Sequence, residues 1–341
     1  MKKSKNPNEI TKISFTNRIK LIVIWAIIVL LSVFFTLLIG MLFLGDKAGS
    51  DLIVGNIYTF IPGIIAIIFI LRAKTDSLDS LWKQFEFPRI KWVLFGLGYT
   101  LVVLFLTIIT GIILGELTYN DNYSPFTEDL TSLKTYNPLS DILIYVLFVG
   151  VLLIFSPGGF IRVIGEEVGW RGYLMPECIK LHPKVSLLVS SIFIGFVWFI
   201  YHLPYFTFLA PVSPKYLLFF VIGSVGVFFG ANWAMMWAYL KTKSLWPSLS
   251  LHFLWNLISP LFTGNIYSKT PGLLNPSLDN IWLVNGEGLI GGFFHFLVGI
   301  LFLILILRNK DELLSNYEKL GESHSFKTNL KRMKMVTQSK K

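Results

Sequence analysis

Long apolar runs separated by short polar segments dominate the chain. They occupy Leu21–Leu44, Leu52–Leu71, Trp92–Leu114, Ile142–Phe155, Val185–Tyr201, Tyr216–Leu240, Leu245–Phe262 and Leu289–Leu307. A helix needs about 20 apolar residues to cross a hydrocarbon core of about 30 Å. The pattern therefore predicts an all-α, polytopic membrane protein of about eight transmembrane helices. The first run has 24 residues. That exceeds the roughly 7–15 residues of a signal-peptide core, so it reads as an uncleaved span.

Composition agrees with this picture. Charged residues are 15% of the 341, hydrophobic residues 54%, and the mean hydropathy is +0.64. A soluble globular chain is about 25% charged, so an ordinary soluble enzyme and a disordered protein are both excluded. The lone cysteine, Cys178, rules out an intrachain disulfide and a thiolate metal cluster.

The net charge of +10 changes meaning in a membrane chain. Instead of marking nucleic acid as a partner, it reports topology. With eight spans, 24 of the 30 Lys and Arg fall on the amino-terminal segment, the tail and the even-numbered connections. Basic residues collect on the cytoplasmic side, so both termini are expected there. The long connection 115–141 is acidic, as expected of the outer side. The expected organisation is a basic segment 1–20, one helical membrane domain 21–307 and a basic tail 308–341.

A charge inside a span costs about 2.5–3.5 kcal/mol on insertion scales, so the exceptions carry information. The densest is Gly165-Glu166-Glu167-Val168-Gly169-Trp170-Arg171-Gly172-Tyr173-Leu174-Met175-Pro176. Glu166 lies 14 residues before Lys180, about 21 Å along a helix. This places the acids within the membrane; an interfacial cytoplasmic helix is the alternative. About 40 residues separate Asp141 from Lys180, too many for one straight span, and Pro157-Gly158-Gly159 is the expected break. Glu167 and Arg171 stand at i, i+4 with the acid first, the favourable order for a helical ion pair. Glu166 points about 100° away, which leaves it to face the bundle interior and take a proton from water. Alternatively, both acids simply neutralise Arg162 and Arg171.

His202 lies 18 residues beyond Lys184, about 27 Å along the next span and at a depth similar to Glu166. His252 and Asn256 share a helix face one turn apart. They could orient a carbonyl or an oxyanion or simply bond neighbouring helices. His182, His295, His324, Asn232 and Glu287 read as structural or peripheral.

Glu-Glu-x-x-x-Arg at 166–171, aromatic-x-x-x-His at 198–202 and His-x-x-x-Asn at 252–256 follow one another in that order. This constellation resembles the CPBP family, the CAAX protease and bacteriocin-processing (Abi) intramembrane glutamic endopeptidases related to Rce1, over a core of about 142–262. Trp198 stands where the family often has Phe. The resemblance implies a helical membrane fold, in a bacterial cell membrane, with a cavity reached from the cytosol. It implies that Glu166 and His202 activate water, that His252 and Asn256 stabilise the oxyanion, and that Glu167 and Arg171 support them. No cofactor or metal is implied, and the substrate would be a membrane-associated peptide or protein. Two other readings stay open. A glutamate with two histidines could hold zinc in a metalloprotease, although no His-Glu-x-x-His helix is present. A non-catalytic scaffold or bacteriocin-immunity protein would need no water-activating pair.

Overall fold

The computed structural model describes residues 13–44, 50–73, 78–120, 157–182, 184–208, 212–266, 270–275 and 280–323. Among these residues the structure is helical, with two isolated bridges, Asn265–Thr270 and Gly272–Asn275, in place of any sheet. The helices are α1 (Phe15–Leu44), α2 (Ser50–Ala73), α3 (Leu78–Lys83), α4 (Ile90–Ile113), α5 (Pro157–Gly169), α6 (Met175–Ile179), α7 (Leu187–Phe208), α8 (Leu217–Thr242), α9 (Trp246–Thr263), α10 (Ile281–Val284), α11 (Leu289–Arg308) and α12 (Lys310–Ser323).

Among the described residues, five stretches are long and apolar enough to cross a membrane: Phe15–Gly40, Ile90–Ile113, Leu187–Phe206, Pro214–Thr242 and Ile281–Arg308. They coincide with five of the eight apolar runs. The run 142–155 lies outside the described residues. The second run is helical, but its described apolar part, Ile57–Arg72, is shorter. The seventh run forms the 18-residue α9, whose Ser248, Ser250, His252 and Ser259 are buried against neighbouring helices. That helix is turned toward protein rather than toward lipid.

Helix α1 shows how the bilayer acts as solvent. Trp25, Val29, Val33 and Leu37 are buried at four-residue intervals, while Leu31, Phe35 and Ile39 are exposed. The stripe has helical period but both faces are apolar, as expected where the outer face meets hydrocarbon. The inner face meets an aromatic knot. Trp25 packs edge-on against Trp170 at 5.6 Å, and Trp170 against Tyr201 at 5.2 Å.

Helices α8 and α11 approach through glycine. A Cβ on Gly226 would overlap the backbone of Gly292, and one on Gly230 would overlap the backbone at His295. Lipid supplies little hydrophobic drive for helix association, so such backbone-to-backbone contact is a main source of packing energy.

One end of the bundle is tied together by hydrogen bonds and ion pairs. Arg18, at the start of α1, pairs with Glu177 on α6, and Lys180 joins the same carboxylate at 2.7 Å. The Tyr239 hydroxyl donates to Gln84 Oε1 at 2.8 Å, while Gln84 Nε2 donates to the Gly172 carbonyl at 3.2 Å. The Trp246 indole donates to the Phe85 carbonyl at 2.8 Å. The starts of α1 and α9, the loop after α3 and the ends of α6 and α8 therefore share one face. At the other end, Asn280 donates to the Glu116 carbonyl at 2.9 Å and Asn275 to the Thr263 carbonyl at 3.2 Å.

Candidate active site

The two acids sit near the end of α5, which starts at the proline of the Pro157-Gly158-Gly159 break. Gly165 and Gly169 bracket them. A Cβ on Gly165 would lie 2.7 Å from the Thr59 carbonyl oxygen, and one on Gly169 would run into Pro62. This small-residue pair lets α2 lie directly against α5 and brings Tyr58 and Thr59 to the site. After Gly169 the helix widens into a π turn, Trp170–Leu174, closed by the Met175 N–H on the Trp170 carbonyl. Single π turns inside helices are often found at functional sites. The motif spacing contains no sign of this one.

Glu167 and Arg171 are fully buried and paired, with Nη1 2.9 Å from Oε1. The same oxygen accepts His252 Nδ1 at 2.9 Å. Arg171 also donates to Asn232 Oδ1 at 3.4 Å, and its guanidinium lies 4.5 Å from the centre of the Trp198 ring. Asn232 passes the linkage on, donating to the Ser191 carbonyl at 2.9 Å. Asn232, read from the sequence as a packing hydrogen bond, makes one with the arginine itself.

Glu166 has a different environment. It is buried and accepts the Trp198 indole N–H at 3.3 Å. No cation pairs with it among the described residues. The two acids do not divide Arg162 and Arg171 between them: Arg162 sits on the cavity wall one turn before Glu166 and has no ion-pair partner among the described residues.

His202 is buried on α7, held by Nδ1 donating to the Trp198 carbonyl at 2.9 Å. With Nδ1 committed, Nε2 carries the lone pair. Its ring rests on Phe228 at 4.6 Å. Trp198 therefore does three things: its indole bonds Glu166, its carbonyl orients His202, and its ring carries Arg171.

Glu166, His202, His252 and Asn256 all line one cavity of about 580 Å³. Glu167 and Arg171 stand behind its wall. Asn256 is exposed to the cavity, whereas His252 is buried beside it. Two residues read from the sequence as bland also reach this space, Glu287 and His295. His295 has no acid partner among the described residues, but its Nδ1 lies 3.0 Å from the Tyr99 hydroxyl and its ring 4.2 Å from Trp255. A tyrosine 196 residues away could not be matched to it by motif or depth. Among the described residues, no three His, Cys, Asp or Glu side chains are grouped to hold a metal ion.

The site is thus an acid-and-histidine cavity in a multi-pass helical membrane protein. Residues 138–258 match the model of the Rce1-like family, described as type II CAAX prenyl endopeptidase Rce1-like. The match covers about a third of the chain and contains all six candidate residues. It agrees with the resemblance drawn from their motifs and shows that this part of the chain is similar to that protease family. Comparison with the curated proteins returns no match.

Proposed function

We propose that the chain is an intramembrane endopeptidase that hydrolyses a peptide bond of a membrane-associated peptide or protein through an activated water. The observation that carries this reading is the convergence of Glu166, His202, His252 and Asn256 on one cavity, while Glu167 is neutralised outside it.

The hydrogen bonds support distinct roles. The free carboxylate of Glu166 and the lone pair on His202 Nε2 accept the two hydrogens of a water between them. The water oxygen attacks the scissile carbonyl as Glu166 takes its proton. Glu167 fixes the His252 ring through Nδ1, which leaves Nε2 for the cavity. A protonated Nε2 and the Asn256 amide then donate to the oxyanion. Collapse breaks the C–N bond, and Glu166 returns the proton to the departing amine. No acyl-enzyme forms, and both hydrogens and the oxygen of water end in the products.

The charge distribution further supports eight spans with both termini cytoplasmic, and the resemblance to the CPBP family supports a bacterial cell membrane. The protease core spans about 142–262. The purified protein in proteoliposomes, incubated with a peptide pool read by mass spectrometry, tests the activity. Cleavage that disappears in Glu166→Gln is expected; undiminished cleavage in that variant overturns the assignment.

A further inference from the structure

We propose that His295 and Trp255 form a substrate subsite in the cavity wall, where their two ring N–H groups bind a backbone carbonyl of the peptide close to the scissile bond. This rests on the protease reading above and adds part of how the substrate is held.

The starting point is a pair of orphaned donors. Buried polar groups are nearly always hydrogen-bonded, so each exception calls for a reason. Several buried side-chain atoms lack a partner among the described residues, but only two of them belong to residues that line the cavity. These are His295 Nε2 and Trp255 Nε1. They are neighbours: the imidazole and the indole meet edge to face, with ring centres 4.2 Å apart. Both side chains are buried.

Each donor is set from behind. The Tyr99 hydroxyl, on α4, lies 3.0 Å from His295 Nδ1. It meets no other acceptor among the described residues, so its hydrogen goes to Nδ1. The ring proton of a neutral imidazole is then on Nε2. Trp255 is seated by backbone. A Cβ on Gly286 would lie 2.6 Å from Cζ2 and 2.8 Å from Cη2 of the indole. The glycine therefore lets the chain before α11 lie flat against the ring.

The chemistry of the pair selects the ligand. Two neutral N–H donors side by side suit a carbonyl oxygen, whose two lone pairs can accept both. A peptide brings one such oxygen with every residue. Trp255 directly precedes Asn256 on α9, so the carbonyl held here belongs to a residue near the one that Asn256 would polarise. Residues of an extended peptide are spaced about 3.3 Å apart. Both nitrogens lie just under the cavity surface, and neighbouring side chains must shift slightly to admit the oxygen, as side chains commonly do on binding. Neither His295 nor Trp255 was marked by the motifs, because the donors meet only where α4, α9 and α11 come together.

Binding to full-length Glu166→Gln protein in proteoliposomes tests this without turnover. The probe is a synthetic peptide recovered from the peptide pool by its retention on that protein. Trp255→Phe removes one N–H. Tyr99→Phe combined with His295→Phe removes the other and strands no hydroxyl, so melting should stay near that of the parent. Each change should weaken binding about three- to tenfold. Replacing backbone carbonyl oxygens one at a time by sulfur, a poorer acceptor, should weaken binding to the parent at one position and cost nothing there in the variants. Unchanged binding in both variants, or a sulfur penalty that persists in them, overturns the subsite. If the double variant fails to fold, the sulfur scan on Trp255→Phe decides alone. Cleavage is read separately: activity that survives Glu166→Gln refutes the protease reading, while the binding scan still decides the subsite.

Discussion

The Nδ1 of His252 lies 2.9 Å from Oε1 of Glu167, the same oxygen that holds Arg171 at 2.9 Å. One carboxylate thus joins a helix-borne arginine to a histidine 85 residues away. Removing one partner of a buried ion pair leaves the other uncompensated, at about 3–5 kcal/mol. Glu167→Gln should therefore lower the thermal midpoint strongly and reduce the yield of folded protein. Activity per folded molecule should fall as well, because the His252 ring loses its anchor. A Glu167→Gln protein with unchanged melting would show that the pair is dispensable.

The neighbouring acid should behave in the opposite way. Glu166 has no cation partner among the described residues, and a glutamine there still accepts the Trp198 indole. Glu166→Gln should shift stability by less than about 1 kcal/mol while abolishing proteolysis. The loss of a general base is about 10²–10⁴-fold. Melting curves and peptide cleavage on the same preparations give the two readouts, and a collapse of both together would make Glu166 a structural residue.

The division between these two acids was legible in the sequence because it depends on local helical geometry. The i, i+4 spacing points Glu167 at Arg171, and a 100° step turns Glu166 away. Depth along antiparallel helices also foretold that residues 166 and 202 could meet. Bonds between distant segments were not legible: Asn232 on Arg171, His252 on Glu167 and His295 on Tyr99 all depend on how whole helices rotate against each other. The π turn at Trp170–Leu174 was hidden for another reason, since it has no composition of its own. Apolar length marked α9 as a run but could not reveal that its polar stripe faces protein.

Trp198 connects three groups, and its parts can be separated. Trp198→Phe removes the indole donor to Glu166 and keeps the backbone carbonyl that orients His202. A hydrogen bond of this kind contributes about 0.5–1.5 kcal/mol, or up to about 3 kcal/mol to a charged group. The expected result is a kcat reduced by about threefold to a hundredfold with KM little changed. A variant that loses KM alone would place Trp198 in substrate binding instead.

The two arginines of the motif region should differ sharply. Arg171 is fully buried, in an ion pair and over an indole, whereas Arg162 is half-buried on the cavity wall. Arg162→Gln should change unfolding by no more than about 0.5 kcal/mol, while Arg171→Gln should cost several kcal/mol by stranding Glu167 in a buried site, about 3–5 by analogy with other buried pairs. Equal effects in denaturant titrations would mean that Arg162 has a buried partner after all.

The glycine seam between α8 and α11 sets a steric limit that does not involve the chemistry. A Cβ on Gly230 would meet only backbone, the His295 carbonyl and the Phe296 nitrogen, so the overlap cannot be relieved by a rotamer change. Even Gly230→Ala must push the helices apart, and Gly230→Val more so. Overpacking of a tight interface costs about 1–3 kcal/mol, occasionally more, and here it also displaces His295 from Tyr99 and the cavity wall. Gly98 gives the matched control, because a Cβ there meets nothing within 4 Å. Gly98→Ala should leave the midpoint of thermal unfolding unchanged or slightly raised, since alanine favours helix by about 1 kcal/mol over glycine. If Gly230→Ala melts no lower than Gly98→Ala, the close approach of α8 and α11 does not hold the bundle together.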